Sequence, residues 1–471
     1  MARALVLKGL GARVFAAWRE PEVRKRVAVC LLFIALFAAH LPLLRPVLQN
    51  GDSAVYNQQI DDLDLTNRTT HVGYIALGIV FNRLLPFGTD LNMNLMLLSV
   101  GFVGVAAVYS TAKSLSESRI AAFSTVPLVL GLPSQIQGML LSEVDCVSVA
   151  LVALGFACFQ RGLGFSAGLL FGFSVLVTPL SGPLLVLFLA VAAVQALTDR
   201  AALRLQIRRL LTFGAGSLLV YVPTVLLLYR DYVYGPRGLL HAPRENFTVA
   251  KRLETSWHFI ADELGYTLPL YAGAIVICLA SRRMWRAGQP AFALLASVAV
   301  MAIVGQRFVD VPVQLPNLAL LGMLPALAFA VSRPVVRVGL VVLFCACFFN
   351  LRSSYARALG DVRSRERDRN VCLAIKAQSE KAAPVLVGLS GWTQSRMFER
   401  YASSPTLAAR AITWQAFNRE QKRWLEPAQR APIWFFRKLN RGQVAPLLER
   451  YSLESRTVGD RRLRVLLPKP D

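Results

Sequence analysis

Between residues 51 and 71 an otherwise apolar chain carries Asp52, Asp61, Asp62, Asp64, Arg68 and His71, with Tyr56 among them. Ionisable side chains beside a membrane are costly and are usually kept for function. Asp52 directly follows Gly51 at the end of the first apolar run, where glycine permits a sharp exit from a helix. A carboxylate there suits a general base that takes a proton from an acceptor hydroxyl. It also suits a helix cap or a solvated loop. Asp61, Asp62 and Asp64 have the hard oxygens of a divalent-cation site, or of a plain solvated turn. His71 is placed to hydrogen-bond a phosphate or a sugar, or to cap the helix that follows.

Two further groups stand out. Glu143 and Asp145 lie in Gln135-Ile-Gln-Gly-Met-Leu-Leu-Ser-Glu-Val-Asp145, at the mouth of an apolar run. Carboxylates in that position are not expected to face lipid. A negative charge favoured by a helix N-terminus is the simpler alternative. The stretch 229–265 holds Arg237, Arg244, Lys251 and Arg252 beside Tyr232 and Tyr234. Cations with aromatics suit a phosphate and its attached head group, and equally a membrane interface.

The elements that position these residues are apolar helices. The 471 residues are 55% hydrophobic and 17% charged, with a mean hydropathy of +0.47. Apolar runs long enough to cross a hydrocarbon core of about 30 Å recur. About eleven spans are expected, centred in 27–44, 92–110, 120–140, 146–160, 165–178, 182–197, 210–228, 266–280, 291–305, 317–331 and 336–350. Thr178-Pro179 and Gly182-Pro183 divide the long run 165–197 into two helices. Residues 71–88 read as an interfacial helix. The loops on one side carry 19 basic residues against nine on the other. The positive-inside rule then puts the N-terminus in the cytoplasm and the acidic segment outside. Val27–Leu44 reads as a retained anchor, and the context as a bacterial inner membrane with chemistry on its outer face.

From residue 352 the composition turns polar, with 24 Lys and Arg against 11 Asp and Glu. Strand-like runs at 384–388, 433–436 and 463–467 alternate with helix-like stretches at 394–401, 414–424 and 443–451. The expected organisation is a helical membrane domain, 1–351, followed by a small extracytoplasmic α/β domain, 352–471.

Gly51-Asp52-Ser53, His71-Val72-Gly73-Tyr74, Leu85-Pro86-Phe87-Gly88 with Asn92 and Asn94, and Ser142-Glu143-Val144 follow one another in a familiar order. The pattern, over residues 28–165, resembles the GT-C superfamily of membrane glycosyltransferases. It is most similar to the membrane family related to protein O-mannosyltransferases and formerly of unknown function. The double proline of that family's histidine element is missing, with Val72 in its place. The resemblance implies a polyprenyl-phosphate sugar donor, inverting transfer on the outer face to a lipid, glycan or protein acceptor, and Asp52 as base. It also implies that the C-terminal domain helps to recognise acceptor or donor.

The net charge of +24 does not point to nucleic acid, because the basic residues fall in short loops that topology explains. The seven cysteines form no CxxC pair, which argues against a zinc or redox motif. Cys146 and Cys372 could in principle pair, but nothing in the sequence demands it. No cofactor is expected, and no Walker-type loop is present. A lipid or polysaccharide transporter is the chief alternative, but its cavity needs polar residues at mid-span. Here the acids cluster at one face. A non-catalytic scaffold is the other alternative.

Overall fold

The computed structural model describes residues 20–65, 71–141, 144–179, 181–198, 203–227, 248–281, 290–304, 315–379, 382–389, 391–403, 407–419, 431–436, 441–458 and 461–469. The chain forms two compact units, Met1–Leu44 and Arg45–Asp471. The first contains helix α1 (Pro21–His40), whose apolar side chains are largely exposed. That is the surface expected of a helix bathed in lipid.

The second unit opens with α2 (Gly51–Asp62), α3 (Val72–Leu84) and α4 (Thr89–Ser116). A bent pair follows, α5 (Arg119–Leu130) and α6 (Pro133–Leu140), which meet at 70°. The proline at the start of α6 has no N–H to continue the ladder of α5, so the axis breaks there. Next come α7 (Val144–Gln160), α8 (Gly164–Val177), α9 (Ser181–Thr198), α10 (Leu203–Leu227), α11 (Val249–Leu264), α12 (Leu268–Ala280), α13 (Pro290–Val304), α14 (Met323–Val331), α15 (Pro334–Phe344) and α16 (Ala346–Ala377). Four helical segments among the described residues are long and apolar enough to cross a membrane: Pro21–Leu43, Thr89–Ser116, Leu253–Ala280 and Pro334–Ala377. The bent pair makes a fifth if it is one span. Several shorter apolar helices accompany them. The protein is an integral membrane protein. The helices α8 and α9 part at Thr178-Pro179, as the prolines dictate. Helix α3 rises only about 20 Å over its 13 residues, too little to cross a 30 Å core.

Small residues let the helices approach closely. A Cβ on Gly168 would lie 2.0 Å from the Phe213 carbonyl oxygen, and one on Gly104 would lie 2.9 Å from Ala150. These glycines seat α8 against α10 and α4 against α7.

Helix α16 runs unbroken through the compositional change at residue 352. Beyond it lies a five-stranded sheet of β1 (Val385–Val387), β2 (Arg410–Ile412), β3 (Ile433–Phe435), β4 (Tyr451–Val458) and β5 (Arg461–Pro468), in the order β2-β1-β3-β5-β4. The pairs β1·β2 and β1·β3 are parallel, and β3·β5 and β4·β5 antiparallel. Helices α17 (Gly391–Ala402) and α18 (Trp414–Arg419) connect the strands. One face of the sheet packs on α16 and α17 through Val371, Ile375, Phe398, Trp434 and Val465. Leu48 and Ala54, from the segment leading into α2 and from α2 itself, are buried in that same core. Cys146 and Cys372 are both buried and are not joined to each other; Cys372 belongs to this sheet core, and Cys146 lies on α7 and accepts a hydrogen bond from Gln135 on α6.

Candidate active site

The acidic segment is a helix rather than a loop. Asn50 caps α2 by accepting from the Ser53 N–H at 2.9 Å. An Asx cap of this kind satisfies one of the orphan N–H groups of the first turn. Gly51 therefore starts a helix instead of ending one. Ala54 and Ile60 are buried on one side of α2. Asp52 sits exposed in its first turn and makes no hydrogen bond or ion pair among the described residues. The surrounding protein still partly desolvates its carboxyl and raises its pKa above the usual carboxylate range.

One helical turn on, Tyr56 shares the Asp52 face. Its ring meets His71 edge-on at 5.1 Å and Tyr74 at 5.7 Å. His71 precedes α3 but does not cap it. Its Nδ1 instead lies 2.6 Å from the carbonyl oxygen of Val177, at the end of α8. Gly73 lets that approach happen, since a Cβ there would stand 3.0 Å from the backbone of Leu176 and Val177. Burial drives the His71 pKa down to about 4, partly offset by the Val177 bond, so the ring is neutral near pH 7.

The turn after Val177 leads to the second constellation. The Ser181 N–H donates to the Thr178 carbonyl at 3.0 Å, and Ser181 and Ser148 share a hydrogen bond of 2.5 Å between their hydroxyls. Ser148 lies one turn from Asp145 on α7, which begins at Val144. Asp52, Tyr56, His71, the 177–181 turn, Ser148 and Asp145 thus follow one another through contacts or single helical turns. Arg68, Glu143, Arg237 and Arg244 lie outside the described residues, as does the side chain of Arg252. Lys251 stands exposed in the first turn of α11, 3.3 Å from Glu254 on the same helix.

The other end of α2 holds what sequence reasoning missed. Arg400, on α17, reaches Asp61 at 2.9 Å and Asp90 at 3.0 Å. Asn57 Nδ2 donates to Asp90 at 2.9 Å, and the Thr89 hydroxyl donates to Asp61. Beside them the Tyr401 hydroxyl oxygen accepts from the Leu48 N–H at 2.6 Å. The Asp61 carboxylate is occupied by a guanidinium and a hydroxyl. Among the described residues no group of three or more His, Cys, Asp or Glu is arranged to hold a metal.

Glu263 is the second omission. It is buried near the end of α11 and accepts from the Ser134 N–H at 2.9 Å and from its hydroxyl, at the N-terminus of α6. Asn350 and Ser354 of α16 donate to the Gly131 carbonyl at 2.8 and 2.6 Å, and Gln137 donates to Asp361 at 2.6 Å. These contacts fix the bent pair that leads to Asp145. A lone Glu before an apolar run was the only signal of the latch in the sequence.

A chain of apolar helices, an accessible carboxylate on a capped helix and a sheet domain packed on that helix make up a fold shared with a solved membrane protein, the ArnT of Cupriavidus metallidurans. The solved structure of ArnT from Cupriavidus metallidurans bound to undecaprenyl phosphate matches 94% of this chain and 99% of its own, with a TM-score of 0.63 and 14% identity. Its apo state matches 95% and 100%, at a TM-score of 0.62 and 14% identity. The oligosaccharyltransferase of Archaeoglobus fulgidus, in complex with zinc and sulfate, matches 83% and 64%, at a TM-score of 0.48 and 13% identity. No protein-family description and no curated protein matches the sequence. At these identities the likeness is one of fold.

Proposed function

We propose that the protein is a glycosyltransferase that moves a hexosyl or pentosyl group from a polyprenyl phosphate to a lipid, glycan or protein acceptor at the outer face of a bacterial inner membrane. The observation that carries the reading is Asp52, an accessible carboxylate with no partner among the described residues, set at one end of a helix whose other end is firmly tied. The raised pKa of that carboxyl brings it nearer to the range of an effective general base. In the step proposed, Asp52 takes the proton of an acceptor hydroxyl. The hydroxyl oxygen bonds to the anomeric carbon with inversion. The bond to the polyprenyl phosphate breaks, and its electrons leave on the phosphate oxygen. Cations near the leaving group offset the charge that develops there. Arg237, Arg244, Lys251 and Arg252 are the proposed source, with Arg68. The undecaprenyl phosphate bound by the ArnT of like fold supports a lipid phosphate as ligand. Glu143 and Asp145 are assigned to substrate binding. The reading requires no metal ion, about eleven spans, and an extracytoplasmic 352–471 domain.

The test is purified protein in liposomes with undecaprenyl-phosphoryl sugars and a panel of lipid, glycan and peptide acceptors. Transfer of label with release of undecaprenyl phosphate is expected, unaffected by chelator. Movement of the intact sugar lipid across the bilayer without release would replace this reading with that of a flippase.

A further inference from the structure

We propose that His71 accepts a hydrogen bond from a hydroxyl of the transferred sugar, so that the site takes a hydroxyl-bearing glycosyl group. The proposal rests on the glycosyltransferase reading and adds the chemical class of the sugar. A carbonyl oxygen can only accept, so the 2.6 Å contact with Val177 puts the hydrogen of the ring on Nδ1. In the neutral ring Nε2 then carries a lone pair and no hydrogen. The close seat of Gly73 on Leu176 and Val177 keeps the start of α3 against the end of α8, where that bond is made. Among the described residues nothing donates to Nε2.

The position is right for a sugar. His71 touches Tyr56, and Tyr56 stands one helical turn from Asp52. Next to Val177, the Thr178 hydroxyl is buried and has no hydrogen-bond partner. An unpaired buried hydroxyl is costly, and a polar ligand reaching this turn would relieve that cost. A phosphate or carboxylate oxygen has no hydrogen to give, so it would face the Nε2 lone pair without a bond. His71 is therefore not a phosphate ligand, and the leaving phosphate must rely on the cations.

Direct binding tests this without turnover. The probes are undecaprenyl phosphate alone, undecaprenyl-phosphoryl-glucose, -mannose and -xylose, and undecaprenyl-phosphoryl-glucuronate. At least one sugar lipid should bind more tightly than the bare lipid. His71→Ala should remove about tenfold of that gain, one lost hydrogen bond, and leave the affinity for bare undecaprenyl phosphate unchanged. His71→Gln, which keeps an acceptor oxygen, should restore most of it, and serves as the check if the alanine variant unfolds. The proposal is overturned if no sugar lipid exceeds the bare lipid, if the gain survives both substitutions, or if the bare lipid weakens equally. Sugar-dependent binding of the expected kind with no transfer to any acceptor would defeat the glycosyltransferase reading and leave this one standing.

Discussion

Asp52 and Asp61 lie on the same twelve-residue helix and have opposite surroundings. Asp61 is held by Arg400 and Thr89, in a cluster that also takes in Asp90 and Asn57. Asp52 has no such partner among the described residues. A carboxylate whose oxygens are taken by a guanidinium and a hydroxyl is not open to an acceptor substrate. A carboxylate left accessible is open to one, and partial desolvation makes it a better proton acceptor. The contrast assigns structure to one end of α2 and chemistry to the other. It also makes the sheet domain part of the site, since the domain's core includes Leu48 and Ala54 and its helix α17 supplies the clamp. A base helix anchored in a folded sheet is held more precisely than one on a free loop.

Breaking the clamp should have the largest effect on stability. Arg400→Ala leaves Asp61 and Asp90 facing each other without their cation, and should cost about 3 kcal/mol, the lower end for a buried pair because Asp61 is partly exposed. Hydrogen exchange should then rise across 51–62, which no loss of the distant Glu254–Lys251 pair would cause. The Glu263 latch ranks next. Glu263→Ala strands the Ser134 N–H and hydroxyl, at about 2 kcal/mol, measured as a lower melting temperature in detergent.

The pH dependence of stability sharpens the account of His71. Its folded pKa of about 4 lies below its ordinary 6.5. Between those values the unfolded chain binds a proton that the folded chain refuses. Stability should therefore be fully present above about pH 6.5 and fall as the pH drops toward 4. His71→Gln should flatten that part of the profile. The smallest effect belongs to Lys251→Ala, which removes an exposed i,i+3 pair worth less than about 0.5 kcal/mol. A much larger loss of donor affinity in that variant would instead mark Lys251 as a phosphate ligand.

Much of the frame is legible in the sequence because hydrophobic length and proline breaks act locally. The division of α8 from α9 at Thr178-Pro179 and the strands near 385, 433 and 463 follow from such signals. β4 does not. Residues 451–458 alternate weakly, with Glu454, Ser455 and Arg456 in the middle, and Tyr451 read as the end of a helix although it opens the strand. As an edge strand, β4 pairs only with β5 and can carry polar residues on its free side. The grouping of Asp52, Tyr56 and His71 was visible as a cluster within some twenty residues. Arg400 was not, because 339 residues separate it from Asp61 and the pairing exists only in the folded chain. The helical state of 51–62 was also missed. Its polar composition looks like a loop until Asn50 caps it and Ala54 and Ile60 find a core.

The most direct test of the central claim measures single-turnover sugar transfer and melting temperature side by side for Asp52→Asn and Asp61→Asn. Both substitutions keep shape and remove charge. The account predicts that Asp52→Asn slows transfer by about 10²–10⁴-fold, the usual share of a general base, with the melting temperature unchanged. Asp61→Asn should lower the melting temperature and leave the rate within about tenfold, because it loosens the clamp without touching the reacting atoms. Near-normal transfer by a folded Asp52→Asn protein would contradict the account.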